Sequence, residues 1–149
     1  MGYKGFDLSA FFQGAGNQSF WIDANSTAPF INDAQLLKAY ADSYWSEESQ
    51  NLYAIWPRLS IVTNSNNVAR NTWFMRDATF LRLKQAELGY TLPNRLTEKL
   101  KMSSLRFYIS GSNLLRFSNF KMWDVEMAGN GLGYPIQRVF NIGINLSFN

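Results

Sequence analysis

The chain has 149 residues, a formal charge of +3, and neither cysteine nor histidine. Those absences exclude disulfides, thiol nucleophiles, cysteine zinc sites and every histidine base, triad or metal ligand. The Lys and Arg are scattered and form no basic stripe, so nucleic acid is not an expected partner.

Charged residues make up 17% of the chain, below the roughly 25% usual for soluble domains. Aromatics reach 16%, with twelve Phe, seven Tyr and five Trp. That pairing suits a barrel girdled by aromatic side chains, or equally a sugar-binding sandwich. No apolar run approaches the ~18 residues of a membrane helix. Barrel strands escape that test, because each needs only ~10 residues of alternating character.

In chain order, residues 1–5 lack the apolar core of a signal peptide, so an exported protein is not expected to begin here. Residues 5–13 are the first predicted strand: Phe6, Leu8, Ala10 and Phe12 share one face, while Asp7, Ser9, Phe11 and Gln13 share the other. A polar loop follows. Within it, residues 32–44 change to helical spacing through Leu36, Leu37, Tyr40, Ala41 and Tyr44, with Asn32 as N-cap. This is a short amphipathic helix packing its apolar stripe. Residues 45–68 form a polar connection containing Trp56-Pro57-Arg58, an Asn-rich stretch at 64–67 and a predicted short strand at 59–62.

Residues 73–92 are the longest ordered stretch. Ala86, Leu88, Tyr90 and Leu92 alternate with polar or small residues, but upstream the apolar parity moves to Leu81 and Leu83. A slip of one residue predicts a bulge or a strand end leaving apolar surroundings. A charged turn at 95–101 leads to a third strand over 104–115, with Leu105, Phe107 and Ile109 on one face. A glycine-bearing loop at 117–135 precedes the last strand, 139–149. There Phe140, Ile142, Ile144, Leu146 and Phe148 occupy one parity, and Asn141, Gly143, Asn145 and Ser147 the other. One face is wholly apolar and the other small and polar, which fits either a sheet packed on a core or a barrel strand between lipid and a wet lumen. Long loops follow strands one and three and a short one follows strand two, as in outer-membrane barrels with long external loops.

Little in the chain suggests chemistry. Asp124 with Glu126, and Glu47 with Glu48, are the remaining carboxylate pairs, and polar loops usually leave such pairs solvated. Asp124, Glu126 and Asn130 match no calcium-loop spacing, and no metal or cofactor is expected. Gly129, Gly131 and Gly133 lack the Lys and helix of a phosphate loop and read as turn. The tryptophans at 21, 45, 56, 73 and 123 lie outside or at the ends of the strands. They serve as anchors and packing, or as stacking platforms for a sugar or peptide; on the second reading Trp21, Trp45, Trp56, Trp123 and Asp124 are the ligand-binding candidates.

Several motifs together resemble a known family. They are residues 4–14 (KGFDLSAFFQG), 76–84 (RDATFLRLK), 88–93 (LGYTLP), 105–114 (LRFYISGSNL) and Tyr134-Pro135 before the last strand. In this order they resemble the C-terminal end of SusC/RagA-type TonB-dependent outer-membrane transporters of Bacteroidetes. The resemblance implies that residues 1–149 are a C-terminal barrel segment without signal peptide or plug domain. The fold expected is an all-β antiparallel up-and-down meander of about four long strands, with a short helix in one long loop: a partial transmembrane β-barrel. The resemblance also implies a bacterial outer-membrane location, a non-enzymatic role in importing a glycan or peptide, and a last strand read by the barrel-assembly machinery. Implied partners are outer-membrane lipid, the remaining barrel and plug, a SusD-like lid lipoprotein and TonB. The alternative from a different class is a soluble β-sheet carbohydrate-binding module using loop tryptophans. A glycosidase using Asp124 or Glu126 is a third and weaker reading.

Overall fold

The computed structural model describes residues 1–31 and 34–148. The chain forms two compact units: a sheet unit of Met1–Ala15, Phe80–Phe117 and Ile136–Asn149, and a loop unit of Gly16–Thr79 and Ser118–Pro135. The strands in chain order are β1 (Gly2–Tyr3), β2 (Phe6–Ala15), β3 (Ser19–Trp21), β4 (Met75–Asp77), β5 (Phe80–Thr91), β6 (Met102–Ser118) and β7 (Val139–Phe148). The four predicted long strands are β2, β5, β6 and β7.

The sheet unit has strand order β1-β2-β5-β6-β7 and does not close. It is an open antiparallel meander, the wall of a partial barrel. A tight turn at Lys4 and Gly5, both with positive φ, folds β1 back on β2. Gly5 is required there twice over: its φ is +87°, and a Cβ would lie 2.7 Å from the Thr91 carbonyl.

Register explains the faces. In the β2–β5 pair, Phe6 lies opposite Tyr90, Leu8 opposite Leu88, Ala10 opposite Ala86 and Phe12 opposite Leu83. Between the last two pairs β5 spends one extra residue, Lys84. That bulge is the predicted slip in apolar parity, and it keeps Leu81 and Leu83 on the face of Ala86 and Leu88. In the β6–β7 pair, Leu105, Phe107, Ile109 and Gly111 lie opposite Leu146, Ile144, Ile142 and Phe140. Leu8, Leu88, Ile109 and Ile142 line one shallow apolar groove, so the apolar parities of all four strands share a face.

Three connections complete the chain. The short one between β5 and β6 holds α1 (Asn94–Thr97) and a 3₁₀ turn at Glu98–Leu100, ending on Lys101 in the left-handed region. Each long connection belongs to the loop unit, where β3 pairs with β4. The first also contains single turns of helix at Ala24–Thr27, Lys38–Asp42 and Ser65–Val68.

Two local expectations need correction. The helix over 32–44 shrinks to Lys38–Asp42, entered from the extended backbone of Leu37 and left at Ser43. The expected N-cap Asn32 lies outside the described residues. Five residues with one buried side chain, Tyr40, are too few to extend a helix without tertiary support. Residues 59–62 form no strand, and Ile61 and Val62 stand in solvent. β-branched composition without a pairing partner does not make a strand.

Candidate functional site

On the sheet unit, chemistry divides by face. The apolar face carries Phe6, Leu8, Phe12, Leu88, Phe107, Ile109, Phe140, Ile142, Ile144 and Leu146, all exposed, with Ile142 at 87%. Exposed apolar surface of that extent has to meet something other than water. The opposite face is wired by ions. Arg106 on β6 donates from Nε to Asp7 on β2 at 3.0 Å, from Nη2 to the second Asp7 oxygen, and from Nη2 to Glu87 on β5 at 2.7 Å. One guanidinium thereby ties three strands together, a geometry that its planar fork allows and an ammonium does not.

Two glycines make room on that face. A Cβ at Gly89 would collide with the Arg106 guanidinium, and one at Gly143 with the Tyr108 ring. The Arg106 guanidinium also sits 5.4 Å from the Tyr108 ring centroid. Arg106→Leu leaves Asp7 and Glu87 without their shared cation. It is expected to lower the temperature at which the barrel loses its compact mobility on unheated gels, and adding Asp7→Asn and Glu87→Gln to recover part of that loss. An unchanged transition would show that the ion cluster contributes nothing.

The loop unit is built on rings. Tyr40 (0% exposed), Trp56 (3%) and Phe74 (1%) form its centre, with ring centroids 4.5 and 5.6 Å apart along the series. The Tyr40 hydroxyl donates to Thr27 at 2.9 Å, and burial raises its pKa. A second cluster stacks Phe20 edge-on to Phe120, and Phe120 edge-on to Trp123. Asp77 accepts from the Thr79 amide at 2.8 Å and from Asn119 at 3.2 Å, joining the two long connections. Its pKa is lowered chiefly by the Thr79 hydrogen bonds.

The five ligand-binding candidates fall in different surroundings. Trp56 is core, 3% exposed. Trp123 is half-buried; its indole N–H donates to the Ala128 carbonyl at 2.8 Å, and Gly131 lies against its ring. Asp124 caps the 3₁₀ turn Val125–Met127 by accepting from the Glu126 amide. Trp21 lines a cleft of about 560 Å³ with Ser19, Asp23 and Arg70, whose guanidinium stacks 4.0 Å from its ring centroid. Trp45 lines another, of about 460 Å³, with Arg58, Asn66, Asn67, Asn71 and Trp73. Arg70 and the asparagines carry no motif, and only their placement beside tryptophans distinguishes them. Arg106 was likewise invisible as a bridge, because a lone arginine on a polar parity does not reveal its partners. Among the described residues no group of three or more acidic side chains is placed to hold a metal ion.

No family model matches the chain. It is similar to TonB-dependent receptor P3 of Formosa agariphila, at 28% identity over 98% of this chain and 15% of that protein. TonB-dependent receptor P26 of the same organism is 27% identical over 99% of this chain and 16% of its own length. The chain therefore spans about 15% of the length of the curated relatives it matches. Among solved structures, the RagAB peptide importer in its open-open state aligns with a TM-score of 0.65 and 26% identity, covering 98% of this chain and 16% of that one. The closed-closed state aligns with a TM-score of 0.69 at 22% identity, over the same shares of the two chains. These likenesses bear out the resemblance to SusC/RagA-type TonB-dependent transporters and the partial-barrel architecture.

Proposed function

We propose that the chain is a wall segment, with external loops, of an outer-membrane TonB-dependent importer of oligomeric nutrients, glycan or peptide. The observation that carries this reading is the open wall built on four long strands, with one exposed apolar face and one ion-wired polar face. Lipid covers the first and a wet lumen the second, as in outer-membrane barrels. A soluble carbohydrate-binding module would have to bury that apolar face, and nothing favours that alternative. The segment contributes wall, loops and no catalysis. Its free backbone edges pair with the rest of the barrel, since unpaired peptide groups are not tolerated in lipid. The plug, TonB and a SusD-like lid lipoprotein engage the complete transporter.

The test is deletion of the complete gene in the parent bacterium, followed by growth on limiting oligosaccharides and peptides. Loss of growth on one nutrient class, restored by the gene, supports import; unchanged growth on every nutrient would refute it. We further propose, as the family resemblance implies, that β7 is the strand read by the barrel-assembly machinery. Phe148→Ala is then expected to reduce assembled transporter several-fold in outer-membrane fractions, and an unchanged level would count against that role.

A further inference from the structure

The cleft lined by Trp45 and Trp73 has a chemistry narrower than the choice between glycan and peptide. Both tryptophans are tied to the Ile55–Trp56 segment. The Trp45 amide donates to the Trp56 carbonyl at 3.0 Å, and the Trp73 indole N–H donates to the Ile55 carbonyl at 3.4 Å. The Trp73 amide is also capped by Asn71 at 2.9 Å, and Asn71 spends its own amide group on the Ala69 carbonyl. Beneath them lies Phe74, part of the buried ring series. The Trp73 ring is therefore positioned, and the Trp45 backbone anchored, before any ligand arrives, which reduces the ordering cost of binding.

The polar side of the cleft comes from the turn Ser65–Val68, itself capped by the Asn64 side chain. Among the described residues, the side-chain amides of Asn66 and Asn67 carry no hydrogen bond. Each offers two donors and an acceptor in one plane. The cation lining the cleft, Arg58, is paired with Glu47 at 2.9 Å. The cleft thus offers flat apolar faces, amide donors and acceptors, and one cation that is already paired with a carboxylate. The cleft at Trp21 differs, because it presents the Arg70 guanidinium.

We propose that the Trp45–Trp73 cleft binds an uncharged sugar unit of an oligosaccharide, with the C–H face of the ring on indole and hydroxyls on Asn66 and Asn67. This rests on the importer reading and names its substrate class as neutral glycan. The test uses the complete transporter in detergent, titrated calorimetrically with neutral hexasaccharides of glucose, xylose, mannose and galactose, with an oligouronate, and with an uncharged-side-chain hexapeptide.

At least one neutral hexasaccharide is expected to bind. Trp73→Ala should weaken it about tenfold or more, the usual effect of removing a central aromatic. Asn67→Ala should weaken it several-fold, and Trp73→Phe should keep most of the affinity. Tyr53→Ala, on an exposed ring that does not line the cleft, should change nothing. Absence of binding by every neutral sugar would overturn the proposal, as would binding insensitive to both Trp73→Ala and Asn67→Ala in transporter that assembles normally. Selective binding of the uronate or peptide would overturn it too. If gene deletion abolishes uptake of a peptide and Trp73→Ala leaves that uptake intact, the sugar assignment fails while the importer reading stands. If deletion changes no uptake, the importer reading itself fails.

Discussion

Replacing Ile142 with arginine is expected to deplete folded transporter from the outer membrane, whereas arginine at the adjacent Asn141 is expected to leave its level near that of the parent. Ile142 lies opposite Ile109 within the β6–β7 pair, with its side chain on the exposed apolar face. A charge on the lipid face of a barrel near the bilayer midplane costs about 2–4 kcal/mol, falling towards the interfaces. Asn141, one residue away, lies opposite Ser110 on the other parity, where water solvates an added charge. Because both changes introduce the same residue on the same strand, altered strand propensity cannot produce the difference. Quantifying heat-modifiable transporter in membrane fractions reads the result. Equal loss for both variants would mean that neither face is wet; equal tolerance would mean that neither faces lipid.

Phe74→Ala is the second large effect, and it is local. The ring is 1% exposed and packs on Trp56, which packs in turn on Tyr40. Truncating a buried phenylalanine costs about 3–5 kcal/mol, because packing is lost and a cavity is left. Among its described residues the loop unit has few regular hydrogen-bonded elements to absorb that loss, the longest helix being Lys38–Asp42. The Phe74 carbonyl also accepts from the Ile22 amide at 2.9 Å, so displacement of its backbone pulls on the stretch after β3. The expected outcome is rapid proteolysis between residues 16 and 79 in intact cells, with the strands still protected. Amide exchange in purified transporter should show the same division. Parent-like protection of this segment would show that the ring series is not what holds the loop unit.

Sequence pattern and final structure agree wherever one residue's environment follows from its neighbours in the chain. The period of two in 139–148 places each side chain on its face without further information, and the parity slip between Leu83 and Ala86, which allowed a bulge or a strand end, proves to be a bulge at Lys84. The long, short, long order of connections was legible for the same reason: strand ends are local. What was not legible depends on residues distant in sequence. Trp56 and Trp45 look alike as loop tryptophans, but Trp56 meets Tyr40 and Phe74 and becomes core, while Trp45 lines a cleft. Arg106 binds Asp7 across 99 positions, which no spacing rule anticipates. The segment 59–62 has the composition of a strand but no strand beside it, and composition alone could not reveal that.

As a barrel strand, β7 would separate lipid from water residue by residue. The segment has no cysteine, so single cysteines at each position from 139 to 148 can carry nitroxide labels in the complete transporter, provided the remainder is also freed of reactive thiols. The measurement is the accessibility of each label in liposomes to dissolved oxygen, which concentrates in lipid, against a water-soluble nickel chelate. The expected result is oscillation with a period of two: labels at 140, 142, 144, 146 and 148 relaxed by oxygen, and those at 141, 143, 145 and 147 relaxed by nickel. A flat profile, or one with the opposite phase, would contradict it.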